Sequence, residues 1–183
     1  MRGITDEQLS IRSSTPVREA QRQWASESLR ARLAVLRRAR HLLASRAAEF
    51  AAAIPPTFAR NPADIYISEL LPLLDACRFL EREAAAILKP RTLGRRGLPW
   101  WLGSLSSRIE RVPLGEILII APSNYSLFLP GVQTLQALAA GNAVVWKPGA
   151  GGHPVADLFE EGFRVHVRWW PMQKDTAAVT HCS

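Results

Sequence analysis

Two side chains near the middle of this sequence stand where chemistry could be done. Asn124 follows the apolar run Ile117–Ala121 after the Pro122-Ser123 turn residues, and Lys147 closes a second apolar run, Ala143–Trp146, just before Pro148. An amide can donate a hydrogen bond to a charged oxygen without changing its own charge, and an ammonium is a point cation with three donors. Gly149, Gly151 and Gly152 beyond the lysine would allow a ligand close to the backbone, although they do not form a G-x-G-x-x-G fingerprint. Other chemistries lack their residues. His41, His153, His166 and His181 have no metal-ligand spacing with Cys77 or Cys182, so no metal site is expected. No nucleophile elbow supports Ser-His-Asp catalysis. Cys77 reads as a small buried apolar group, and two cysteines are too few for a disulfide framework.

The elements that must position Asn124 and Lys147 are legible around them. Short continuous apolar runs suit strands of a parallel sheet buried on both faces. Between the two runs, Leu129, Val132, Leu135, Leu138 and Ala139 recur at helical spacing, with Pro130 tolerated in a first turn and Gly141-Asn142 as the stop. Residues 110–148 therefore read as one βαβ unit with a right-handed crossover. Ligands of open parallel sheets bind beyond the carboxyl ends of the strands, where both side chains fall.

Upstream the pattern is helical. From Val17 to Ile54, Leu29, Leu33, Leu36, Leu43, Ala47, Phe50 and Ile54 draw one apolar stripe, with Arg30, Arg32, Arg37, Arg38 and Arg46 mostly off it. Pro55-Pro56 stops the run. A second helix is expected from Pro62 or Asp64 to Leu88, with Ile67, Leu70, Leu71, Leu74, Cys77 and Leu88 inward and Pro72 kinking or splitting it. Residues 89–111 are punctuated by glycines and alternate roughly polar and apolar at their end, which suits an exposed hairpin. Within it Trp100-Trp101 reads equally as an interface anchor or as packing under a loop. Residues 1–16 show no sustained periodicity and read as a loose leader.

Composition bounds the partners. At 183 residues, 48% hydrophobic and 21% charged, the chain has the makings of one ordinary domain with a real core. No run approaches the roughly 18 apolar residues of a membrane span, and no apolar signal core opens the chain, so no membrane partner and a cytoplasmic location are expected. The net charge of +7 comes from outside the βαβ unit: residues 1–111 carry 19 basic and 11 acidic groups, and residues 164–183 add three basic and one acidic. Residues 112–163 set Lys147 alone against Glu116, Asp157, Glu160 and Glu161. The helical arginines are not interleaved with aromatics, so a solvated basic surface is expected and no nucleic acid.

Three blocks carry a family resemblance. Val112-Pro113-Leu114-Gly115 resembles a P-x-G strand entry, Ala121-Pro122-Ser123-Asn124-Tyr125 a P-W-N-F-P turn, and Ala139–Pro148 an A-x-G-N-x-V-V-x-K-P segment. In order and spacing these resemble the aldehyde dehydrogenase superfamily, over roughly Val17 to Phe159. The resemblance implies that Asn124 donates its amide to the oxyanion of the substrate. It implies that Lys147 bonds the adenosine ribose of NAD or NADP, with Ala121, Pro122, Ser123, Gly149 and Ala150 also along the cofactor. Ala150 stands where the family often has an acidic ribose acceptor, which argues against strict NAD preference. It also implies an aldehyde or acyl substrate, a homo-oligomeric parent, and subunit contacts through the small β excursion at 89–111. Ser123, Tyr125 and Ser126 depart from the motif and suggest a divergent branch. No cysteine lies in the family's nucleophile context, and no deacylating glutamate is identifiable.

The expectation is thus an α/β chain: N-terminal helices, a small β-hairpin and the first βαβ unit of a Rossmann-like dinucleotide-binding domain, incomplete. Residues 17–161 form that part, and 162–183, rich in Trp, Arg and His, read as an unrelated tail, frameshifted or disordered. The chain would be a fragment of an NAD(P)-dependent aldehyde dehydrogenase, inactive alone. The rival reading is a non-enzymatic helical interaction module.

Overall fold

The computed structural model describes residues 15–55, 60–164 and 172–174. The stretch expected as one long helix is three: α1 (Thr15–Ser26), α2 (Leu29–Ser45) and α3 (Ala47–Ala53). Ser28 makes the first break, because its extended backbone lets its hydroxyl accept from the Ala31 amide at 3.2 Å and cap a new helix. Arg46 makes the second, with φ −104° and ψ 22°. The apolar stripe survives both breaks. Leu36, Leu43, Phe50 and Ile54 are buried, whereas Arg30, Arg37 and Arg38 are exposed.

The second helical stretch starts with α4 (Pro62–Ile65), capped by Asn61, passes through a π turn at Tyr66–Leu70 and continues as α5 (Leu71–Leu88). Pro72 explains the turn. Proline offers no amide and crowds the carbonyl one turn back, and the wider winding ahead of it absorbs that conflict. The turn also corrects the expected inner face. Ile67 and Leu71 are 65% and 57% exposed, while Ile65, Leu70, Leu73, Cys77, Leu80 and Ala84 point inward. Glu69 is carried inside with them.

The hairpin expected within 89–111 is present: β1 (Arg91–Gly94) pairs antiparallel with β2 (Ser107–Ile109). Between them Trp100 and Trp101 stand 82% and 68% exposed, edge to face at 6.1 Å, so they are not packed beneath a loop.

The chain then forms β3 (Glu116–Ile120), α6 (Phe128–Ala139), β4 (Ala143–Lys147), α7 (His153–Arg164) and β5 (Met172–Lys174). The three strands are parallel in the order β3-β4-β5, with Ile120 beside Lys147 and Val144 beside Met172. The expected βαβ unit is therefore β3-α6-β4. Of the tail expected at 162–183, α7 takes the residues up to Arg164 and β5 a further three; the rest, like residues 1–14, lies outside the described residues.

β3 is not buried on both faces as its apolar run suggested. Ile119 is 3% exposed, but Leu118 and Ile120 are 59% and 68% exposed. Side chains alternate across a strand, and the core gathers on one side only. Leu36 and Leu43 of α2, Leu73 and Cys77 of α5, Leu135 and Leu138 of α6, and Val144 and Trp146 of β4 form one cluster with Ile119. Phe159 of α7 closes it, edge to face with Trp146 at 5.2 Å and with Phe50 at 6.5 Å. Among the described residues no helix is long and apolar enough to cross a membrane.

Candidate functional site

The site begins where β3 and β4 end. The Ala121 amide donates to the Lys147 carbonyl at 2.9 Å, which extends the ladder one step beyond the Ile120–Lys147 pair. The two connections thus leave the sheet side by side, and at Gly149 they touch. A Cβ on Gly149 would stand 2.7 Å from the Pro122 carbonyl carbon and the Ser123 nitrogen, and 2.8 Å from the Ala121 oxygen. These are backbone atoms that cannot swing away, so this crossing admits only glycine. The Gly152 amide then donates to the Gly149 carbonyl at 2.9 Å, and α7 starts at the next residue.

The structure therefore places Ala121, Pro122, Ser123, Lys147 and Gly149 at one end of the sheet, with Ala150 exposed beside them. Lys147 is half-buried. By strand alternation and register it shares the open sheet face with Val145, Leu118 and Ile120. Asn124 follows in the turn Ser123–Leu127 and is exposed. Its turn is the connection that Gly149 packs against.

Both ends of α6 are held by groups from elsewhere. The helix has no side-chain cap of its own, and Ser126, which could have supplied one, has a buried Oγ with no partner among the described residues. Glu69, fully buried, accepts from the Leu127 amide at 2.8 Å and the Phe128 amide at 3.2 Å, and pairs with the Arg60 guanidinium. At the other end Trp24 donates to the Leu138 carbonyl at 2.9 Å and Arg32 to the Ala139 carbonyl at 3.2 Å. A carboxylate at the amino end and a cation at the carboxyl end both suit the helix dipole. Burial lowers the Arg32 guanidinium from its ordinary range, opposed by the charge of Glu27.

The strand entry is fastened by Asn142. Its Oδ1 accepts from the Leu114 and Gly115 amides at 2.6 and 3.0 Å, and its Nδ2 donates to the Ala137 carbonyl at 3.1 Å. Gly141 beside it has φ +89°, the left-handed conformation expected of a helix stop. Sequence reasoning identified that stop but neither the reach of the Asn142 side chain nor the role of Glu69. The signal for Glu69 was an acid inside an apolar stripe.

Cys77 is fully buried, and its thiol is pushed up to about 12 by burial, with the charge of Glu81 adding to the shift. It is no nucleophile in this setting. Among the described residues no group of His, Cys, Asp and Glu could hold a metal ion.

Parallel strands joined by a crossover helix, with loops converging beyond their carboxyl ends, define a Rossmann-like type of sheet. Comparison with known proteins makes the class specific. Residues 12–164 match the model of the aldehyde dehydrogenase family, and the chain belongs to that family. It is 37% identical over 171 residues to the vanillin dehydrogenase of Amycolatopsis sp. (strain ATCC 39116 / 75iv2), covering 87% of this chain and 32% of that protein. It is 35% identical over 97 residues to the 4,4'-diapolycopene aldehyde oxidase of Methylomonas sp, covering 53% and 18%. Among solved structures, the NADP-dependent glyceraldehyde-3-phosphate dehydrogenase of Bacillus halodurans C-125, complexed with NADP, superposes with a TM-score of 0.77 at 26% identity, covering 89% of this chain and 34% of that one. Staphylococcus aureus AldH superposes at 0.78 with 20% identity, covering 97% and 37%. The chain thus spans about a third or less of the length of these curated relatives.

Proposed function

We propose that this chain is the amino-terminal share of an NAD(P)-dependent oxidoreductase acting on an aldehyde or acyl group, and that it builds one wall of the nucleotide site. The observation that carries this reading is the contact of the two connections at Gly149, which holds the Ala121–Ser123 backbone against the segment that follows Lys147. The residues suit a dinucleotide. Lys147 would meet the adenosine ribose, Gly149 and Ala150 would let the nucleotide approach the backbone, and Ala121, Pro122 and Ser123 would complete the wall. Ala150 supplies no carboxylate to the ribose hydroxyls, so a 2′-phosphate would not be repelled there, and NADP suits the site as well as NAD. When bound, the nicotinamide supplies hydride acceptance or donation. Asn124 would aim its neutral amide at the substrate oxygen as charge develops on it, a stabilisation that needs no proton transfer.

Cys77 cannot act as the attacking thiol, being buried and held protonated. We therefore take the chain alone to bind nucleotide without turning over aldehyde. The exposed pair Trp100-Trp101 fits a subunit contact in a homo-oligomeric parent, since large aromatics are enriched at such contacts. The same pair is what favours the rival reading, a non-enzymatic interaction module.

Thermal melting in the presence of nucleotide separates the two. A ligand that binds only the folded state raises stability by about 1.4 kcal/mol at ten times its dissociation constant. NADP or NAD should raise the melting temperature, and Lys147→Ala should shrink the rise. No shift from either nucleotide at millimolar concentration would favour the interaction module. Aldehyde turnover by the purified chain would overturn the claim that it is inactive alone.

A further inference from the structure

We propose that Glu69 and Arg60 act together as the positioning pair for Asn124. The inference rests on the reading of Asn124 as a donor to the substrate oxygen. The residue lies on an exposed turn, where an amide would ordinarily sample many positions, yet both flanks of that turn are held. On the amino side, the backbone of Ala121–Ser123 is pressed against Gly149. On the carboxyl side, the buried Glu69 takes the amides of Leu127 and Phe128 through one oxygen, Oε2. Its other oxygen pairs with Arg60, whose guanidinium carbon lies 5.3 Å from the Tyr125 ring centroid and whose Nη1 donates to the Ser68 hydroxyl at 3.3 Å. Tyr125 directly follows Asn124. One ion pair therefore grips the turn twice, through the helix amides and through the aromatic face next to the donor.

The choice of residues is informative. A buried carboxylate is expensive unless its charge is paired and its lone pairs are filled. Ser126 beside these amides has a buried hydroxyl with no partner among the described residues, so the carboxylate and not a local hydroxyl holds them. The carboxylate reaches across from the π turn of another helical segment, so it ties the turn to the helical layer, which a local cap cannot do.

The test uses the full ¹⁵N-labelled chain with Glu69→Gln, Glu69→Leu and Arg60→Gln, followed by amide exchange and by the side-chain NH₂ resonances of Asn124. Glu69→Leu should lower protection at Leu127 about ten-fold or more and at Phe128 by less, as loss of a charged acceptor to one buried and one part-buried donor implies. Leu138 and Val144 should change little, and the Asn124 resonances should move or broaden. Glu69→Gln, which keeps one acceptor oxygen, should restore part of the protection at Leu127. Arg60→Gln, which leaves the buried Glu69 without its cation, should disturb Asn124 and Tyr125 and lower protection at Leu127 less than Glu69→Leu does. Unchanged Asn124 resonances in all three variants would overturn the proposal. So would a uniform loss of protection across α6 and β4 in both Glu69 variants, which would make Glu69 a support of the core alone. A separate titration with NADP tests the underlying reading. No response at Lys147 in the unsubstituted chain would count against nucleotide binding and leave the exchange result standing.

Discussion

At the scale of single residues, Gly149 and Cys77 show how tightly local geometry limits chemistry here. Gly149→Ala places a methyl group against three backbone atoms at 2.7 to 2.8 Å, so the two connections must separate. A cost of about 1–3 kcal/mol, typical of forced overpacking, should appear as a lowered denaturation midpoint in urea. The Cys77 thiol is held above its ordinary value of 9.0, at about 12, mainly because burial penalises the thiolate. A group whose pKa is raised on folding contributes stability that is fully present below the unfolded value and is lost as pH rises through the folded one. The contribution of Cys77 should therefore be intact at pH 8 and decline from about pH 9 toward 12. Urea melts at pH 8 and pH 10.5 would measure the decline, and Cys77→Ala should flatten that part of it.

At the scale of elements, β3 is the informative case. Its two faces have different fates because the helices gather on the side of Ile119, Val144 and Trp146. Among the described residues β3 pairs on one edge only, and Leu118 and Ile120 present an open apolar face. Unpaired apolar strand edges are a known route to association. Replacing both residues, Leu118→Thr with Ile120→Thr, should leave the melting temperature nearly unchanged, since exposed sites are usually within about 0.5 kcal/mol of neutral. Light scattering should show less self-association. Ile119→Lys, at the position between them, should instead unfold the chain, because it places a charge in the core. α6 makes a complementary point. Its amino end depends on Glu69 and its carboxyl end on Trp24 and Arg32, so the crossover helix is held by residues remote in sequence.

At the scale of the whole molecule, the helical layer and the sheet share one core, while the β1–β2 hairpin projects with its tryptophans exposed. If the hairpin is a subunit contact, Trp100→Ser with Trp101→Ser should lower the mass seen by sedimentation and leave thermal stability unchanged. An unchanged mass in a chain that does self-associate would assign association to the β3 face instead. The Gly149 crossing and the Glu69 pair belong to this scale too, because each joins segments that are far apart along the chain.

The primary sequence determined the βαβ unit and its ends. Short apolar runs, a helical apolar period and a Gly-Asn stop are local signals, and backbone propensity answers to local signals. The same holds for the hairpin and for the apolar stripe through Leu36, Leu43, Phe50 and Ile54, although the breaks at Ser28 and Arg46 that split that stripe into three helices interrupt no apolar period. The placement of Asn124 beyond the end of β3 also followed, while Lys147 lies on the last residue of β4 itself, paired with Ile120. Tertiary structure decided the rest. Ile67 and Leu71 lie outside and Glu69 inside because Pro72 forces a wider turn, and one added residue rotates every face beyond it. Long-range contacts such as Glu69 on the Leu127 amide join groups whose spacing along the chain carries no periodic signal, and only packing brings them within hydrogen-bond reach.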